Sequence, residues 1–188
     1  MRYDLIPPND PRVLSSVAIF EEKNLKEQDN LTPKEFADNM FETMKVYGGI
    51  GLSANQVGKP YRMFVMGDHL NIENGKKWVC YNPEILKVSK EQSRFKEGCL
   101  TFPFLFLDIK RPSAIEVKYL NEDLKEITEQ LSGLPARCFL HEYDHMQGIV
   151  FTEKVSKLKL DLAIKKRDKQ IKKLQILQNS INKGKETK

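Results

Sequence analysis

Two histidines four residues apart flank a glutamate in His141-Glu142-Tyr143-Asp144-His145. On an α-helix turning about 100° per residue, His141 and His145 point within roughly 40° of each other, one turn displaced, so two imidazoles face one point and can grip one divalent ion. Glu142 lies beside them. It is near enough to take a proton from a water at that ion without being obliged to ligate it, which is the work of a general base in a metal hydrolase. The chain has three histidines in 188 residues, so two at this spacing around a carboxylate argue for a site rather than for a solvated helix face.

A catalytic site of this kind takes a third protein ligand and leaves one coordination position open. The strongest upstream residue is Cys99 in Glu97-Gly98-Cys99-Leu100-Thr101, where Gly98 lets the backbone come close and a thiolate can complete the set. Residues 146–188 hold no histidine and, as glutamates, only Glu153 and Glu186. A zinc endopeptidase uses the same helix motif with a His or Glu well downstream as third ligand, and a ribosome- or RNA-binding module with a lapsed site would keep the basic C-terminal segment without turnover. A thiolate with two imidazoles suits Zn²⁺, Fe²⁺, Co²⁺ or Ni²⁺.

Three segments in order, Gly49-Ile50-Gly51-Leu52-Ser53-Ala54-Asn55-Gln56, Glu97 to Thr101 and His141 to His145, with Val57-Gly58 after the glutamine and Asn82-Pro83 between the first two, resemble the motifs of the peptide deformylases. The resemblance covers about residues 5 to 155. It implies a metal-dependent hydrolase that removes the N-formyl group from the initiator methionine of nascent polypeptides and releases formate. It implies one divalent ion on Cys99, His141 and His145, Fe²⁺ in the cell, with Glu142 as proton carrier and Gln56 and the Leu100 backbone N–H as donors to the oxyanion. Substrate contacts carry over to Gly49, Ile50, Gly51, Phe95, Glu97 and Cys138, and Arg111 matches a family arginine. Asp144 is its expected partner, because its helical offset turns it off the metal face. The chain departs from the family pattern at Ser53 and Thr101, where alanine and serine are usual, at Leu140, usually glutamine, and at Phe106, where bacterial relatives often carry a substrate-contacting arginine.

Positioning these residues requires a helix for the histidines and a sheet to hold it. Thr32-Pro33-Lys34-Glu35 is a capping box with proline at the first helical position, and Phe36, Met40 and Met44 continue one apolar face until Gly48. Tyr61 to Met66, Trp78 to Tyr81 and Ala114 to Leu120 read as strands. Leu134-Pro135 opens a helix running to about Gln147. The expected fold is α+β, with mixed or antiparallel sheets around a central metal-binding helix and a C-terminal helix.

Charge divides the chain. Residues 154–188 hold eleven lysines and Arg167 against Asp161, Asp168 and Glu186, a net +9, so the remainder of a chain with net charge +5 carries −4. In this segment Leu160, Ile164, Ile171, Leu174, Leu177 and Ile181 recur at three- and four-residue steps, which predicts an amphipathic helix ending near Gly184. The expected organisation is a catalytic domain over 1–155 and a basic helix over 156–188, the latter either packed on the domain or a contact to the ribosome. Three unevenly spaced cysteines argue against a disulfide framework, and no apolar run reaches the ~18 residues of a membrane helix. A cytoplasmic protein with no membrane partner is expected.

Overall fold

The computed structural model describes residues 1–70 and 72–186, with side chains through Ser180. Helix α1 spans Glu22–Asp29 and α2 Pro33–Val46. The capping box forms as its residues dictate: Glu35 N–H donates to Thr32 Oγ1 at 3.3 Å, and Thr32 N–H donates to Glu35 Oε2 at 2.8 Å. Phe36, Met40 and Met44 are fully buried against Leu52, Met63, Val65 and Tyr81. After α2 the chain reverses at Gly48, where φ is +70°, a value that suits glycine. Gly49 N–H then bonds back to the Met44 carbonyl at 2.9 Å.

Strands β1 (Gly51–Ser53), β2 (Met63–Gly67), β3 (Lys77–Val88), β4 (Gln92–Cys99), β5 (Phe102–Pro112), β6 (Ala114–Leu120) and β7 (Glu126–Ser132) follow in the chain. Five of them form one sheet in the order β1-β2-β3-β6-β7, while β4 and β5 form a separate hairpin. Every strand pair among the described residues is antiparallel. Strand β3 runs well past the expected Tyr81. It tolerates Asn82-Pro83 by shifting register between Tyr81 and Glu84, since a proline inside a strand must fall where no ladder N–H is needed.

Helix α3 (Gly133–Met146) carries the two histidines through the centre of the molecule. One face packs Ala136, Phe139, Leu140 and Met146 against Phe64, Trp78, Ile115, Val117 and Leu131 of the five-stranded sheet. The opposite face meets the β4–β5 hairpin through Arg111 and Arg137. The histidine helix is thus clamped from both sides.

Helix α4 (Lys157–Glu186) has 30 residues, about 45 Å of length, and continues through Gly184 because one interior glycine costs only about 1 kcal/mol. Its first turns pack Leu160, Ala163 and Ile164 on Leu105, Leu107, Ile109 and Phe151. Farther on, Leu174 and Leu177, expected on the apolar face of this helix, are exposed together with Ile176. The side chain of Ile181 lies outside the described residues. Among the described residues no helix is long and apolar enough to cross a membrane.

Candidate metal centre

Cys99 closes β4, and His141 and His145 stand one turn apart on α3, so hairpin and helix meet at one point. The ligand atoms of these three residues all lie within 4.8 Å of one another. Cys99 Sγ and His145 Nε2 are 3.4 Å apart. Two ligands of one tetrahedral ion, at about 2.3 Å for sulfur and about 2.0–2.1 Å for nitrogen, lie roughly 3.6 Å apart, so the donor set fits a single divalent cation. Burial drives His145 well below its ordinary pKa. Burial also pulls His141 down, but contacts with Cys99 and Glu97 outweigh it and raise the ring to about 10. A cation entering the site therefore competes with a proton for His141.

Glu97 organises the surroundings. It receives His141 Nδ1 at 3.1 Å, Arg111 Nε and Nη2 at 2.7 and 2.9 Å, and Arg137 Nη1 at 2.6 Å. Burial alone would raise its pKa, but the His141 and Arg111 bonds overcome that and hold it at about 2. Expected among the substrate contacts, Glu97 does line the cavity, yet its oxygens are taken up by these partners. Arg111 Nη1 also donates to Asp144 Oδ2 at 2.7 Å and to the Leu140 carbonyl at 3.3 Å. Arg137 was not singled out by sequence reading. It donates to the Ser93 carbonyl and hydroxyl, both at 2.9 Å, and to the Ile109 carbonyl at 3.2 Å. The available signal was its position four residues before His141 on a buried helix, where an arginine must find an anionic partner.

Glu142 is 4% exposed. Burial pushes its pKa up to about 7, and Oε2 has no hydrogen-bond partner among the described residues. A cavity of about 490 Å³ opens beside it, lined by Gly49, Ile50 and Gly51 together with Phe95, Leu100, Cys138 and His141. A Cβ at Gly51 would overlap Glu142 Oε1 and lie 2.8 Å from Cys138 Sγ, so glycine is what lets β1 cross α3 here. Strand β1 is an edge of its sheet, paired only with β2. Its residues are buried, and Gly49 and Ile50, half-buried just before it, border the cavity.

The chain matches the family described as polypeptide deformylase over residues 10–161. It belongs to that family. The peptide deformylase of Agrobacterium fabrum is 40% identical over 154 residues, 82% of this chain and 91% of the relative. That of Wolbachia pipientis wMel is 46% identical over 144 residues, 72% of this chain and 80% of the relative. The crystal structure of the Ehrlichia chaffeensis peptide deformylase superposes with a TM-score of 0.78 at 34% identity, covering 92% of this chain and 98% of that one. The chain is therefore a metal-dependent deformylase.

In this deformylase Gln56 sits in a short 3-10 helix, Ala54–Val57, directly after β1. Its amide is fixed at both ends. Oε1 accepts from Ser53 N–H at 3.0 Å and Ser53 Oγ–H at 2.9 Å, and Nε2 donates to Thr101 Oγ1 at 2.9 Å while facing Cys99 Sγ at 3.4 Å. Thr101, a departure from the usual serine, keeps the acceptor hydroxyl. Ser53, a departure from alanine, adds a donor. Because one hydrogen bond is worth about 0.5–1.5 kcal/mol, Ser53→Ala should lower kcat roughly two- to tenfold without changing metal content. An unchanged kcat would show that the added hydroxyl does nothing for the amide.

Proposed function

We propose that Cys99, His141 and His145 hold the single metal ion, that Glu142 moves the proton, and that Gln56 and the Leu100 N–H receive the oxyanion. The reaction of this family is removal of the N-formyl group from the N-terminal methionine of nascent polypeptides, and it is the reaction of this chain. The observation that carries the assignment of roles is the convergence of three ligand atoms within 4.8 Å beside a buried carboxylate raised to about 7. Cys99, His141 and His145 would hold the divalent ion, which would supply a water with its pKa lowered toward neutrality. Glu142, poised near the working pH, takes a proton as the formyl carbon is attacked and returns it to the departing α-amine. Ser53 fixes the Gln56 Oε1 and Thr101 one N–H of its Nε2, so the second N–H can turn from its 3.4 Å contact with Cys99 Sγ to donate where negative charge develops. Gly49, Ile50 and Gly51 align the peptide backbone along the free side of β1, and the methionine side chain enters the apolar cavity near Phe95 and Cys138. Glu97, with Arg111 and Asp144 behind it, holds the His141 ring in place.

Fe²⁺ is assigned as the ion in the cell on the family's pattern, and the same donors accept Zn²⁺, Ni²⁺ or Co²⁺ in purified protein. The test is formate release from formyl-Met-Ala-Ser against its acetylated analogue, with metal analysis of the same sample. Formate in proportion to one bound ion is expected, whereas cleavage of unformylated peptides would restore the endopeptidase reading.

We further propose a catalytic unit over 1–155, a basic helix from 156 onward that contacts the ribosome, and residence in the cytoplasm. The exposed apolar residues and lysines beyond Ile164 support that contact. Deleting residues 168–188 spares Leu160, Ala163 and Ile164, which pack on β5. The truncated protein should keep its turnover of small peptides and lose ribosome co-sedimentation that weakens steeply with salt. Equal co-sedimentation of both forms across the salt series would remove the helix from that role.

A further inference from the structure

We infer that Phe104 and Phe106 form an apolar platform for the side chains of the second and third residues of the formylated peptide, so that this enzyme selects nonpolar residues there. The inference rests on the proposed course of the peptide along Gly49 to Gly51. Phe104 and Phe106 are 55% and 57% exposed, and both line the catalytic cavity. Phe36, Phe64, Phe139 and Phe151 are fully buried in the same molecule. Two neighbouring rings left in water at the mouth of an active site mark a contact surface.

The backbone is bent to present them. Gly98 pairs with Phe106 and Cys99 pairs with Phe102, so Pro103, Phe104 and Leu105 bulge out of the hairpin ladder. Phe104 adopts φ +62°, a region that a bulky side chain avoids unless its surroundings impose it. Bulges of this kind re-aim side chains beside active sites. Here Leu105 turns into the core at 2% exposure while Phe104 and Phe106 remain outside. The Phe106 ring lies against the bare backbone of Gly98, where a Cβ would come within 2.8 Å of its Cε1. Gly98 immediately precedes Cys99. The platform is therefore continuous with the reacting centre, and an extended peptide advancing about 3.3 Å per residue brings its second and third residues over it.

Lys96 is the exposed charged residue lining the same mouth, with Asp108 opposite it on β5. The competing preference, for acidic residues, would come from Lys96. The test compares kcat/KM of the metal-loaded enzyme on formyl-Met-Leu-Phe, formyl-Met-Ser-Ser and formyl-Met-Asp-Asp. Partial burial of two apolar side chains should favour the first over the second by about tenfold or more, mainly through KM. Phe104→Ser and Phe106→Ser should each shrink that ratio severalfold, and Phe→Leu at either position should restore most of it. Wild-type enzyme with no preference, a preference for the acidic peptide, or serine variants that slow all three peptides by one factor would each overturn the platform. Formate from no peptide at all would overturn the assigned reaction with it, which separates the two failures.

Discussion

Replacing Glu142 with glutamine is expected to lower kcat about 10²–10⁴-fold while the enzyme keeps its metal. The amide has nearly the carboxylate's shape and can sit in the slot beside Gly51, but it cannot accept a proton and return it. The carboxylate is suited to that exchange because burial raises it to about 7. Cys99→Ala should behave in the opposite way, because one of three ligands is gone, so metal content falls first and activity follows it. Measuring kcat and metal stoichiometry on both proteins separates the roles. Metal loss in the Glu142 variant would make that residue a ligand, and full metal in the Cys99 variant would remove the thiolate from the centre.

The site was legible because its chemistry is concentrated in short segments. Helical spacing alone brings His141, His145 and Glu142 together, the need for a third ligand pointed upstream to Cys99, and the resemblance of three segments supplied Gln56. Pairing of the hairpin was not legible. In β5 the buried residues Leu105, Leu107, Ile109 and Arg111 alternate with outward positions, but two of those outward positions are Phe104 and Phe106. Apolar residues on both faces erase the period of two that announces a strand. Strand β4 offered no pattern either, because five of its first six positions are exposed and the sixth is the buried Glu97. Arg137 was passed over for a related reason. Its function is to share Glu97 with Arg111 across a hairpin that the sequence did not reveal. Helix α4 shows the opposite case, apolar residues at helical spacing of which Leu160, Ala163 and Ile164 pack on the body of the molecule while Leu174 and Leu177 stay exposed.

Arg111→Met should destabilise the metal-loaded enzyme by about 3–5 kcal/mol, the usual cost of stripping one partner from a buried charge network. Arg111 is 5% exposed and Glu97 6%, and two of the arginine's nitrogens go to Glu97 and one to Asp144. Asp144 keeps Lys154 Nζ at 2.9 Å, at a more open site. Glu97 keeps Arg137 and His141 but loses two donors while remaining buried, so its pKa must rise. The sign of the pH effect follows. With its folded value held at about 2 against an ordinary 4.5, Glu97 contributes stability that is complete above about 4.5 and is lost as pH falls toward 2. In the methionine variant that contribution shrinks, so acid unfolding begins at a higher pH than in the wild type. Metal affinity should fall about 10–100-fold as well, because the Glu97 oxygen that fixes the His141 ring is no longer held from behind. Urea unfolding at neutral pH, an acid titration followed by circular dichroism, and metal analysis test the three expectations together. If the variant unfolds and titrates as the wild type does, Arg137 alone suffices to neutralise Glu97, and Arg111 serves only to join the hairpin to α3.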